Sequence, residues 1–196
     1  MVDLGDVKAA LHLYLRETRE DLIWKLDGLS ERDARLPRTA TGNNLLGALK
    51  HCLNVEALYF GPTFGREFPT PEELVPLAAF DEDPQADWYA RDDETKDGLV
   101  DTYRRVGVFA DQTIEELPLD APGLVSWWRP GAQAVTLHQI ITHVTCDLAR
   151  HAGHMDIMRE QHDAAVGVRQ KSSNIPDGYD WPAYVTRLTK LADRFG

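Results

Sequence analysis

Apolar residues recur along this chain at helical rather than strand spacing. In GDVKAALHLYLRETREDLIWKLDGLS, Val7, Leu11, Leu15, Leu22, Leu26 and Leu29 alternate with charges such as Arg16, Glu17, Arg19 and Glu20, the pattern of a long amphipathic helix. Ser30 to Pro37, rich in charge, reads as a connection. TGNN at 41–44 supplies capping residues for a second helix, LLGALKHCLNVEALYF. That helix should stop at Gly61 and Pro62, because proline cannot continue a helix interior.

The next segment, FGPTFGREFPTPEELVPLAAFDEDPQADWYA, holds five of the eleven prolines and a cluster of acids. Connections of this length in a compact domain are usually functional or mobile, so it could line a cleft, but a solvated crossover is the simpler expectation. DETKDGLVDTYRRVGVFADQTIEEL predicts a third helix with Leu99, Tyr103, Val106 and Ile114 inward, ending before Pro118. LPLDAPGLVSWWRPGAQ is turn-rich. VTLHQIITHVTCDLARHAGHMDIMREQH predicts the fourth helix, and GYDWPAYVTRLTKLADRF a short terminal helix that packs on the outside. No alternating apolar and polar run bounded by turn chemistry is present, so no strand is expected. The expected fold is all-α: a four-helix bundle with a long crossover connection and a short C-terminal helix. Its 196 residues suit a single domain, 1–196, with one core.

Composition narrows the partners. Hydrophobic residues make up 43% and charged residues 27%, ordinary for a globular chain. The 21 basic against 32 acidic residues give a formal charge of -11, a poor match for a phosphate backbone, so no nucleic acid partner is expected. The first residues carry acids where a signal peptide would carry bases, and no apolar run approaches the ~18 residues that a membrane helix needs. A cytoplasmic protein with no membrane partner is the expectation. Cys52 and Cys146 form no CxxC pair and read as reduced thiols, buried as small apolar side chains.

Chemistry concentrates in the fourth helix. Five of the seven histidines (His138, His143, His151, His154, His162) fall within it, three of them in HVTCDLARHAGH. At about 100° per residue with His143 at zero, Ile140, Val144, Leu148, Met155 and Met158 lie between about 60° and 140°. On that wheel Asp147 lies near ~40°, His151 near ~80° and His154 near ~20°, so His151 falls in the buried sector, Asp147 and His154 border it, and His143 sits at its margin. Asp147 and His151 are four apart, the spacing that stacks side chains on one face, where an unpaired charge is costly. One cation could bridge them, with a third ligand from a facing helix; His51 in the second helix is the candidate. A hydrogen-bonded core histidine and a buried Asp–His ion pair are the competing reading. Glu56 lies about 140° round the helix from His51, too far to chelate with it, and suits a supporting or structural role. His12, His138 and His162 have nothing to support a ligand role. Tyr59, Trp88, Trp127 and Trp128 could wall a pocket, although aromatic rings beside helix ends ordinarily pack.

NNLLGALKHCLNVEALYF together with THVTCDLARHAGHMDIMRE resembles the DinB/YfiT-like superfamily, in particular its actinobacterial branch. The shared pattern is a histidine followed by xxxVE in the second helix, then an acid or histidine four residues before an RHAGH-type segment in the fourth. The likeness extends over nearly the whole chain, the terminal WPAY included. It implies a four-helix bundle, commonly a homodimer, that holds a divalent metal, zinc or nickel, on three side chains with positions left open. Carried over residue by residue, the ligands are His51, Asp147 and His151. Aspartate stands where many relatives have histidine or glutamate, so its shorter carboxylate must reach further, and His154 could replace or join the set. The resemblance implies a metal-dependent S-transferase that activates a low-molecular-weight thiol such as mycothiol against an electrophilic substrate. Metal-dependent hydrolysis and a non-catalytic, stress-associated metal-binding role are the alternatives it leaves.

Overall fold

The computed structural model describes residues 5–167, 176 and 178–196. Among them seven α-helices follow in chain order: α1 (Val7–Trp24), α2 (Glu31–Arg35), α3 (Leu45–Phe60), α4 (Ala79–Glu82), α5 (Lys96–Glu116), α6 (Leu137–Asp163) and α7 (Trp181–Ala192). The all-α expectation holds, and the four long helices are those the periodicity predicts. Each begins on a side-chain oxygen that accepts from orphan backbone N–H groups: Asp6, Asn44, Thr95 and Thr136 before α1, α3, α5 and α6 respectively.

Three local expectations are corrected. The stretch from Ser30 contains α2, because the Ser30 hydroxyl accepts from the Asp33 backbone N–H and caps a full turn. Two strands exist, β1 (Pro122–Leu124) and β2 (Ala134–Thr136), paired antiparallel with Gly123 opposite Val135. At three residues each they are too short for alternation to register in the sequence. Val7, assigned to the inner stripe of α1, is 58% exposed, since the first turn runs beyond the core. α7 forms as predicted, but none of its side chains is buried.

α1 packs chiefly on α6 and α5, and α3 on α5 and α6. Cross-contacts fix the directions. Lys8 Nζ donates to the carbonyls of Glu115 and Leu117, while Arg19 lies against Gly107, so α1 and α5 are antiparallel. Tyr103 meets Glu56 and Thr113 meets Phe60, so α3 and α5 run parallel. His51 lies beside His151 and Tyr59 beside His143, which makes α3 and α6 antiparallel. Parallel neighbours cannot be joined by a tight turn. The chain after α3 must return along the bundle, about 24 Å for the 16 residues of α3, and this is why the connection before α5 is long.

The core is filled by Leu15, Leu22, Leu49, Leu53, Val106 and Leu148 with their neighbours, all out of water. Within it lies a buried ionic network. Arg19 Nη2 donates to Glu56 Oε2 at 2.9 Å and to Asp111 Oδ1 at 3.2 Å, and Tyr103 Oη donates to Glu56 Oε1 at 3.1 Å. Glu56 is 0% exposed and tied to α1 and α5, so its role is structural. Burial opposes the charge on Arg19, yet the Glu56 carboxylate outweighs it and holds the guanidinium more firmly protonated than usual.

Candidate metal centre and its cleft

His51 on α3 and His151 on α6 come together because the two helices are antiparallel and adjacent; Asp147 stands one turn before His151 on the same face. One potential ligand atom from each of the three lies within 4.8 Å of the other two. His51 Nε2 is 3.9 Å from one Asp147 oxygen and His151 Nε2 3.5 Å from the other. These gaps are too long for good hydrogen bonds, and they slightly exceed the about 3.3 Å edge of a tetrahedron with 2.0–2.1 Å metal–ligand bonds. The spacing therefore suits three groups facing a shared point better than three groups satisfied by one another. Contact with His151 holds the Asp147 carboxyl below its usual range against the opposing effect of partial burial, with the His51 and His143 rings adding to the first effect. Asp147 is accordingly an anion, as a ligand must be.

The long connection completes this arrangement, with Asp87 beside His51. Asp87, buried at 4% exposure, lies 2.8 Å from His51 Nδ1 through Oδ2. A carboxylate there accepts the Nδ1 proton and leaves the Nε2 lone pair pointing at Asp147, the usual tuning of a metal-binding imidazole. Trp88 stacks on His51 with centroids 4.2 Å apart and meets His151 edge-on at 5.0 Å. His151 Nδ1 is buried with no hydrogen-bond partner among the described residues, so polar capacity in the cluster is unspent. Two imidazoles and one carboxylate fit a borderline divalent ion such as zinc or nickel, and the fold presses them together without pairing them off.

Gly47 explains how the connection comes so close. A Cβ on Gly47 would stand 1.9 Å from the Trp88 carbonyl oxygen, so the loop lies directly on the α3 backbone. Asn44 Nδ2 donates to that same carbonyl at 3.3 Å, and buried Lys50 donates to the Tyr89 carbonyl at 3.0 Å and Glu94 at 2.8 Å. The sequence reading treats this segment as a solvated crossover and assigns no role to Asp87. Its acids follow no period, and the one available signal is a glycine inside the strong helix pattern LLGALKH, which marks a close backbone approach.

Asp87 and Trp88 also form one wall of a cleft of about 860 Å³ that reaches His51 and Asp147. Tyr59, Trp127 and His143 line it together with the apolar loop residues Leu77 and Phe80. Tyr59, Trp88 and Trp127 are thus cleft residues as well as packing ones, and Trp128 donates to the Tyr59 hydroxyl. The remaining histidines sit elsewhere. His154 is exposed, its ring 5.5 Å from that of His151, and stands outside the converging trio. His12 pairs with Asp111 and His162 with Arg38. Cys52 is buried as expected, its thiol pushed well up by burial and by Asp147, Glu56 and Asp87; Cys146 is exposed on the outer face of α6, against expectation. No helix among the described residues is long and apolar enough to cross a membrane.

None of the curated proteins matches this chain. The family comparison does find a relative group: the model described as Mycothiol-S-transferase matches residues 10–164, from the first turns of α1 to the end of α6, leaving α7 outside. That match spans all four bundle helices and every residue of the cleft, and the chain belongs to the mycothiol S-transferase family.

Proposed function

We propose that this protein is a divalent-metal-dependent S-transferase that joins a low-molecular-weight thiol, mycothiol in the first instance, to an electrophilic small molecule. The observation that carries the reading is the His51–Asp147–His151 cluster, two of whose members, His51 and Asp147, line the cleft, in a chain of this family. His51, Asp147 and His151 would hold the ion, zinc or nickel. A divalent ion on such a set acts as a Lewis acid that keeps a coordinated thiol ionised at neutral pH.

The protein's own groups do the rest. Asp87 holds the His51 tautomer, and Trp88, itself a cleft residue, packs against both imidazoles. The apolar walls of Val55, Leu58, Leu77 and Phe80 exclude water and bind the hydrocarbon part of an electrophile. Cys52 takes no part as a nucleophile, because its thiol is buried and held protonated.

The test is thiol consumption by protein stripped of metal and reloaded with zinc or nickel, with mycothiol and a panel of electrophiles. Activity that returns with metal, and fails to return in His51→Ala, is expected. No metal-dependent loss of mycothiol or of any other small thiol would overturn the reading.

A further inference from the structure

A second polar cluster, apart from the three candidate ligands, stands in the same cleft. Tyr59 is eight residues beyond His51 on α3, and His143 eight residues before His151 on α6. Because the helices are antiparallel, both displacements point the same way. Trp128 Nε1 donates to Tyr59 Oη at 2.8 Å, and His143 Nε2 lies 3.2 Å from that oxygen. The three rings brace one another: Tyr59 to His143 and Trp128 to His143 at 5.0 Å between centroids, Tyr59 to Trp128 at 6.0 Å. An indole N–H can only donate, so the phenolic O–H remains for His143 or for a molecule in the cleft. The rise from Asp147 to His143 is one helical turn, about 6 Å, within the length of a small electrophile.

We infer that Tyr59 is a catalytic proton donor, with Trp128 as its positioning residue and His143 as the group that returns its proton, for electrophiles that place negative charge on oxygen when sulfur adds to carbon. That class is the epoxides and α,β-unsaturated carbonyls. The inference rests on the S-transferase reading and names its substrate class. The thiol loses its proton to solvent on ionising. Its sulfur pair then forms the C–S bond while the epoxide C–O bond breaks, its pair staying on oxygen; in the unsaturated carbonyl the pair moves to the carbonyl oxygen instead. That oxygen takes the Tyr59 proton, and the exposed His143 returns one from solvent to the phenolate. The sum is thiol plus electrophile giving one adduct, with no oxidant or reductant. An N–H held on the phenolic oxygen stabilises the phenolate that the step creates. An alkyl bromide needs none of this, because bromide leaves as an anion.

The experiment compares the metal-loaded wild type with Tyr59→Phe, Trp128→Phe and His143→Gln on two mycothiol reactions, one with an aryl epoxide and one with an alkyl bromide. Tyr59→Phe is expected to lower kcat for the epoxide by about 10²-fold or more and to leave the bromide rate within about threefold. Trp128→Phe and His143→Gln should show the same selectivity at smaller size, in kcat rather than KM. As a readout apart from turnover, the thioether alcohol product should bind metal-stripped Tyr59→Phe at least about fivefold more weakly than wild type, and its deoxy analogue equally well. Equal losses on both electrophiles, an unchanged epoxide rate, or bromide turnover with no epoxide turnover in the wild type overturns this inference alone. Absence of thiol consumption with either electrophile overturns the S-transferase reading and this one with it.

Discussion

Replacing Asp87 by alanine isolates the contribution of the long connection to the proposed metal centre. The 2.8 Å contact from a 4% exposed carboxylate fixes both the tautomer and the rotation of His51. Without it, the ring must be reoriented each time a cation binds. Outer partners of this kind are worth about 10–100-fold in metal affinity, roughly 1.4–2.7 kcal/mol. The assay is competition for zinc against a chromophoric chelator at fixed pH and salt. Removing any acid near a cation weakens binding somewhat, so Asp81→Asn is the control: Asp81 lines the same cleft but is exposed to solvent, which screens its charge. The expected order is a loss of about 10–100-fold for Asp87→Ala, an intermediate loss for Asp87→Asn, which keeps an acceptor without the charge, and under about threefold for Asp81→Asn. Wild-type affinity in Asp87→Ala, or equal losses in Asp87→Ala and Asp81→Asn, would show that the hydrogen bond does not tune His51.

Other consequences are open to simpler measurements. Gly47→Ala sets a methyl against the Trp88 carbonyl and should cost about 1–3 kcal/mol, with faster amide exchange across residues 85–90; unchanged exchange would mean that the loop is held elsewhere. Glu56→Ala removes the buried carboxylate from the Arg19 guanidinium and leaves it only Asp111, which should cost about 3 kcal/mol, the low end for a broken buried pair, a fall of roughly 6–12 °C in melting temperature, while zinc affinity per folded molecule stays put. Burial pushes the Asp111 carboxyl up, but His12 and Arg19 outweigh it and leave it below its ordinary 3.8. A depressed carboxyl contributes stability that is complete above the unfolded value and lost as pH falls through the folded one. Melting temperature should therefore drop on acidification below about pH 4, and Asp111→Asn should flatten that drop; an unchanged slope would assign the acid loss to other groups.

The division between what the sequence carries and what it does not follows the range of the interactions. Helix formation is local, and the residues that report it are adjacent in the chain: the cap at Asn44, the stop at Gly61 and Pro62, the stripe through Ile140, Val144 and Leu148. His51, Asp147 and His151 could be named in advance because two of them share one turn of one helix and the third is the sole histidine of the second long helix. Asp87 could not, and Trp88 could be named only as one of four aromatic residues able to wall a pocket. Both belong to a segment without periodicity, and they reach His51 only because parallel α3 and α5 force the chain back along the bundle. Likewise Trp128 meets Tyr59 and His143 across three elements that no spacing rule relates. The amino-acid order alone determined four long helices, their inner faces and three candidate ligands, since periodicity, capping and i,i+4 stacking act over a few residues. Which helices run parallel, where the crossover lies, and the cleft that results depend on burying those faces together, and only the tertiary structure decided them.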